Sequence, residues 1–538
     1  IPVGQFNVPA RGMVEAPFRL DTSRRGTFRL TFELSAAGET WRQSPDVKFA
    51  VVQPMKEVGD AEASAFGMNT HMEREPTPHL VRNMEVLAQC GVKWIRGWWG
   101  WGMCEKERGQ FDWTEYDRQL SAVEGAGMRL MPILLRYYPQ YEQAWAGKVD
   151  GIQRPPYRME EWGAFVRKVV ERYRGRVTAW ELWNEPTMSG AGFTPQLYAD
   201  LLRATAAPTR ELDPKAKIVG FAGVEVPFIR DTLALGVAPL MDVVSEHSYS
   251  QVERPEERLP QRMNEVREVL AAARADKPIW HTEQGVGADD DGYRTMSLTE
   301  GDAAALYTRN LVTARSLGIE KYFWFSAQCS PTYGWAVFYE NYIPRPRLVA
   351  LNACASFLEG TAFVRSFRPN RNTYIHLFAG KTPVAVAWNL SAPATLRLPL
   401  RADDLRAFDL MGNPVPVTAR GAASELELPA ERPVYLTGAA LADALGAASV
   451  TVDPPVSVTI RRGPGAEERV TVTNRSREGQ DGVLDLPTAA RADSAWRKHF
   501  HDLEPGKSLS FPLPSGAREV RVRVGNRETQ ELRVAAPR

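Results

Sequence analysis

Lysine is scarce in this 538-residue chain, 13 against 53 arginines, and cysteine is scarcer still. The arginines are scattered and the formal net charge is +1, so no basic face for nucleic acid is implied. The four cysteines, Cys90, Cys104, Cys329 and Cys354, share no CxxC or ligand spacing. That spacing argues for neither a disulfide framework nor a metal site and favours small buried hydrophobes. No run of 18 apolar residues is present, which excludes a helical membrane span. The acidic run Asp289-Asp290-Asp291-Gly292 lacks further ligands at loop spacing and reads as a solvated turn. No metal or cofactor is expected.

What is present is a change of grammar along the chain. Residues 1–60 alternate, as in Phe28-Arg29-Leu30-Thr31-Phe32-Glu33-Leu34, and read as strands and turns. Residues 61–359 switch to short apolar runs alternating with amphipathic segments, which implies parallel βαβ units. Eight such units are counted, with strands at 65–69, 92–97, 128–135, 177–185, 217–221, 241–249, 278–283 and 321–326. Eight units over this length predict an α/β fold of the (β/α)8 TIM-barrel kind. A doubly wound open sheet is disfavoured because no glycine-rich phosphate turn follows the first strand. From 360 to 440 the alternation returns, as in Leu396-Arg397-Leu398, and predicts a β-sandwich. An Ala-rich linker, Gly438 to Ala448, then precedes a last all-β unit of immunoglobulin-like type over 450–538. A structural role is expected for that unit, since Trp496 stands nearly alone among its aromatics.

The chemistry concentrates at strand ends. Trp180-Glu181-Leu182-Trp183-Asn184-Glu185-Pro186 is a buried run closed by an amide, a carboxylate and a proline that cannot continue a ladder. Neighbours on a strand point to opposite faces, so Asn184 and Glu185 can share a site only where the strand ends. Pro278-Ile279-Trp280-His281-Thr282-Glu283-Gln284-Gly285 is a second apolar strand ending in a carboxylate. Together the motifs resemble the signature of the large clan of retaining glycoside hydrolases built on (β/α)8 barrels. The resemblance implies Glu185 as acid/base at the end of strand four and Glu283 as nucleophile at the end of strand seven.

The same resemblance assigns the remaining candidates. Arg96, ending strand two, matches an arginine that contacts the nucleophile. His247 and Tyr249, which share parity with Ser245 on strand six, match a histidine for sugar hydroxyls and a tyrosine for the nucleophile. Asn184 is implied as donor to the sugar 2-hydroxyl, and Trp324 on strand eight resembles a tryptophan platform under the sugar. Asn69 and His71 after strand one are candidates for hydroxyl contacts. Trp98 after strand two and Tyr137 after strand three belong to loops dense in aromatics, which suit sugar C–H faces. His281 shares parity with Glu283 and is read as structural support.

The Asn-His start and the His-x-Tyr of strand six are closest to the family 39 β-xylosidase and α-L-iduronidase grouping. Thr282-Glu283-Gln284 stands where that grouping usually has Thr-Glu-Trp. The resemblance implies hydrolysis of β-linked oligo- or polysaccharides. The chain opens at Ile1, as a processed chain would, and a secreted or periplasmic location follows from the class alone. The rival reading is an inactive, glycan-binding barrel, which would tolerate loss of either glutamate.

Overall fold

The computed structural model describes residues 15, 19–36, 39–53, 55, 61–135, 158–188, 192–249, 254–288, 298–328, 334–339, 342–390, 393–452, 456–462, 468–475, 480–485, 497–513, 517, 519–524 and 530–535. Tyr137, Cys329, Asp289-Asp290-Asp291-Gly292 and Trp496 lie outside the described residues.

Strands β1 (Gly26–Ala36) and β2 (Glu39–Val51) form an antiparallel hairpin. Thr27 Oγ1 ties it to the Pro344 carbonyl at 2.8 Å. The eight strands that follow close into a parallel barrel. They are β3 (Phe66–Thr70), β4 (Trp94–Gly100), β5 (Arg129–Leu135), β6 (Ala179–Leu182), β7 (Lys217–Gly220), β8 (Val243–Glu246), β9 (Ile279–Gln284) and β10 (Lys321–Trp324). Helices α1 (Thr77–Gln89), α2 (Trp101–Cys104), α3 (Thr114–Gly125), α4 (Met159–Tyr173), α5 (Pro195–Leu212), α6 (Val226–Leu233), α7 (Pro255–Ala272), α8 (Glu300–Ser316) and α9 (Pro346–Leu358) connect them. Among the described residues no helix is long and apolar enough to cross a membrane.

The barrel floor is a single layer of inward residues, Trp94, Met131, Ala179, Val219, Val243, Trp280 and Phe323, drawn from seven strands. The remaining strand, β3, contributes Gly67. A Cβ there would sit 2.5 Å from Phe323, so the missing side chain makes room for that ring. Layered apolar filling of this kind makes the barrel a packed core, not a pore. Cys90, Cys104 and Cys354 are free and buried.

After α9 a six-stranded sheet starting at Ala362–Phe367 packs one face on the barrel helices. Phe357 of α9 stacks on its Tyr435 at 4.5 Å between ring centroids. Its other face closes a second core with a four-stranded sheet. The segment from Gly438 to Ala448 is not a linker. Leu441, Ala444 and Leu445 are buried in that second core, and Ser449–Val452 pairs with Ala394–Leu398 as a fourth strand. Its alanine content hides a short helix, Leu441–Ala444, and a 3-10 turn, Leu445–Ala447, anchored by Leu441 and Leu445. Beyond it, a three- and a four-stranded antiparallel sheet enclose their own core around Val470, Val472, Phe500 and Val522.

Candidate active site

Counting two residues onward from the apolar floor gives the polar layer above it. Trp94 leads to Arg96, Ala179 to Glu181, Val243 to Ser245, Trp280 to Thr282 and Gly67 to Asn69. All five polar residues are buried. Side chains two apart along a strand share a face, so the barrel presents this set together at the C-terminal mouth.

Arg96 is its centre and is fully buried. Its Nη1 donates to Asn69 Oδ1 and Glu283 Oε2, each at 2.8 Å, and its Nη2 to Asn184 Oδ1 at 2.8 Å. Its Nε pairs with Glu181 Oε2. Burial works against the cation, but the charges of Glu181 and Glu283 outweigh it and hold the guanidinium pKa above its ordinary value. Tyr249 donates to the other oxygen of Glu283 at 2.6 Å. Burial, then the Glu283 charge, push the Tyr249 hydroxyl well up, so it stays a donor.

Two backbone irregularities deliver the glutamates. Trp183 and Glu185 have φ of 66° and 44°, the left-handed region that non-glycine residues rarely adopt. This breaks alternation at the end of β6. Trp183 turns outward against Trp162 and Phe193, while Asn184 reaches Arg96 and Glu185 reaches His247. On β9 the pairing with β10 slips between Tyr322 and Trp324, which marks a bulge over Thr282 and Glu283. Both side chains therefore face the mouth. His281 faces the other way, buried against Tyr322 at 5.4 Å, where burial pulls its pKa to about 3. It supports the wall and does not share a face with Glu283.

His247 links the two ends of the site. Its Nδ1 lies 3.0 Å from Glu185 Oε1 and its Nε2 3.1 Å from Thr282 Oγ1. One atom each of Glu185, His247 and Glu283 lie within 4.8 Å of one another. Each already has a hydrogen-bond partner, so the trio suits proton transfer better than metal coordination. Burial raises the Glu185 carboxyl, but the hydrogen bond and charge of a protonated His247, with Arg96, outweigh it and set the pKa below the ordinary value.

The expected sugar contacts divide. Asn69 is not free for substrate. Its Oδ1 accepts from Arg96, and its Nδ2 donates to the carbonyls of Thr282 at 3.0 Å and Trp324 at 3.3 Å. Trp324 is not a platform. It is 1% exposed and stacks on Tyr307 of α8 at 3.8 Å. The reason is parity: Phe323 fills the barrel, so Trp324 points to the helices and Phe325 returns to the mouth. His71 stacks on Trp98 at 5.3 Å and meets Phe325 edge-on at 6.3 Å. Trp335 meets Phe325 at 6.0 Å and Tyr249 at 5.6 Å. His71, Trp98, Phe325, Trp335 and Tyr249 thus make an aromatic wall that includes the tyrosine bonded to Glu283. Sequence reasoning missed Glu181, Phe325 and Trp335, and two-residue counting from the floor layer finds the first two.

No family model matches the sequence, and no curated protein matches it. Solved structures do. A family 39 glycoside hydrolase from the gut symbiont Bacteroides cellulosilyticus WH2 superposes with a TM-score of 0.64 at 21% identity, over 77% of this chain and 88% of that one. A GH30 endoxylanase from Clostridium papyrosolvens C71 gives a TM-score of 0.51 at 15% identity, over 70% and 96%. The GH39 enzyme from Xanthomonas axonopodis pv. citri gives 0.50 at 17% identity, over 71% and 95%. The chain has the barrel-plus-β-domain fold on which these glycoside hydrolases are built.

Proposed function

We infer that this protein is a retaining glycoside hydrolase acting on β-linked glycans by double displacement. The observation that carries the reading is the pairing of Glu185 and Glu283. Their oxygens lie within 4.8 Å, the first held by a histidine and the second by an arginine and a tyrosine. Retention calls for carboxyls about 5–5.5 Å apart, inversion for a wider gap that admits water.

In the first step the Glu283 carboxylate, bonded by Arg96 and Tyr249, attacks the anomeric carbon while Glu185 passes its proton to the departing oxygen. In the second, Glu185 takes a proton from water, which displaces Glu283 and restores both residues. Arg96 holds the carbonyl oxygen of Asn184, which leaves the Asn184 amide hydrogens to meet the sugar 2-hydroxyl. The aromatic wall offers apolar faces to sugar C–H groups. One structural neighbour is an endoxylanase, so β-xylosides come first in a substrate panel.

The test separates the two glutamates. Glu283→Ala should abolish turnover and form no glycosyl-enzyme. Glu185→Ala should keep its first step on nitrophenyl glycosides, whose leaving groups need little protonation, and azide should then release a β-glycosyl azide. Failure of azide to rescue Glu185→Ala, or its rescue of Glu283→Ala with retention, would overturn the assignment. Wild-type protein that binds glycans yet turns none over would favour the binding-protein reading.

A further inference from the structure

A continuous line of buried hydrogen bonds runs beneath the site from Glu181 to Glu185. Ser245 Oγ lies 2.8 Å from Glu181 Oε1 and bonds Thr282 Oγ1, which in turn meets His247 Nε2 at 3.1 Å. Glu181, Ser245 and Thr282 are all completely buried.

The direction of each bond follows from counting hydrogens. Glu181 is a carboxylate ion-paired with Arg96 and can only accept, so Ser245 gives it its one hydroxyl hydrogen. Ser245 can then only accept from Thr282, and Thr282 can only accept from His247. The Nε2 of His247 must therefore carry a hydrogen. On a neutral imidazole that leaves Nδ1 bare and facing Glu185 Oε1 at 3.0 Å.

We propose that Glu181, Ser245 and Thr282 are positioning residues that lock His247 in its Nε2–H tautomer, so that the Glu185–His247 pair retains the proton destined for the leaving group. This rests on the glycosidase reading above. The physical reason lies in the deprotonated state. There the bare Nδ1 sets its lone pair against the Glu185 carboxylate, which is unfavourable, so the pair holds its single proton to higher pH. The opposite tautomer would donate Nδ1–H to the carboxylate and release the proton earlier. In the transfer, Glu185 passes the proton to the departing oxygen and the pair goes from neutral to one negative charge, while Nε2 keeps its hydrogen. Among the described residues, the ionisable neighbours of His247 are Glu185 from the end of β6, Glu246 on β8, and His281 and Glu283 on β9, and Arg262 from α7 pairs with Glu246. Gly223, from the loop after β7, packs directly on the ring.

The experiment is histidine-selective ¹⁵N labelling of the whole protein. It has seven histidines, and His247→Asn identifies the signals to follow. The expected result is a proton-bearing Nε2 and a bare Nδ1 in the neutral ring. In Thr282→Val the neutral ring should switch to Nδ1–H, and the alkaline limb of kcat/KM should fall by about one pH unit. Thr282→Ser should restore both. Ser245→Ala frees Thr282 to donate to Nε2 and should reproduce the switch even where the valine variant misfolds. A bare Nε2 in neutral wild-type His247 would overturn the proposal, as would folded Thr282→Val and Ser245→Ala that keep the wild-type tautomer and limb. A proton-bearing Nε2 in a protein that hydrolyses no glycoside would support the tautomer lock and remove the glycosidase reading.

Discussion

Replacing Gly223 with alanine would put a Cβ 2.4 Å from His247 Cγ and 2.5 Å from its Nδ1. Carbon contacts are optimal at about 3.5–4.0 Å, so the ring must retreat by about 1 Å. It has no slack, because both nitrogens are engaged at 3.0 and 3.1 Å. Stretching either contact by that amount ends it as a hydrogen bond. Gly223 also has φ of +80°, where a Cβ adds about 1 kcal/mol of strain. Two lost bonds at about 1 kcal/mol each bring the expected destabilisation to about 3 kcal/mol.

Gly236→Ala is the control that separates strain from site damage. Its φ is +74°, but a Cβ there meets nothing within 4 Å, so strain of about 1 kcal/mol should be its whole effect. Urea unfolding of both variants, with kcat/KM on good and poor leaving groups, reads the difference. Gly223→Ala should lose more stability than the control. It should also lose more activity on poor leaving groups, which depend on Glu185 as acid. A Gly223→Ala protein matching Gly236→Ala within about 0.5 kcal/mol, with full activity on the poor leaving group, would refute the contact argument.

Two further outcomes are expected. Glu75 is buried after β3, and burial, opposed by Asn83 and Arg118, raises its carboxyl to about 7. A carboxyl raised in the folded state contributes stability that is present below its unfolded value of 4.5 and lost as pH climbs through 7. Glu75→Gln should therefore flatten the fall in stability between pH 5 and pH 8 by at most about 3 kcal/mol, and parallel stability curves would contradict this. Trp324→Phe should cost about 1–3 kcal/mol of stability with KM unchanged, whereas Phe325→Ala should raise KM severalfold, and the reverse pattern would return Trp324 to the sugar site.

The barrel was legible because its strands are short apolar runs between amphipathic helices, a period change that survives without tertiary information. Both glutamates were legible because each follows a buried strand and meets a residue that ends it. The geometry between those landmarks was less legible, for reasons particular residues make plain. Strict alternation across Thr282 and Glu283 puts His281 on the face of Glu283, and nothing local announces a bulge that only the pairing with β10 creates. Asn184 and Glu185 converge because Trp183 and Glu185 adopt positive φ, a conformation their side chains do not favour and surrounding packing must impose.

Trp324 reads as the sugar platform for a different reason: the count has no anchor. Four consecutive aromatics carry no phase of their own, and the larger ring attracts the assignment. Phase comes from the floor layer. Once Phe323 is known to fill the space left by Gly67, Phe325 must face the mouth and Trp324 the helices. The same count from Ala179 places Glu181 inside, where an apolar reading of Trp180-Glu181-Leu182-Trp183 leaves it without a role. A barrel's active face is thus best read upward from its packed layer, two residues at a time, until a bulge or a positive φ interrupts the count. In this chain the interruptions fall on Thr282–Glu283 and on Trp183–Glu185, the residues that bring the two glutamates together.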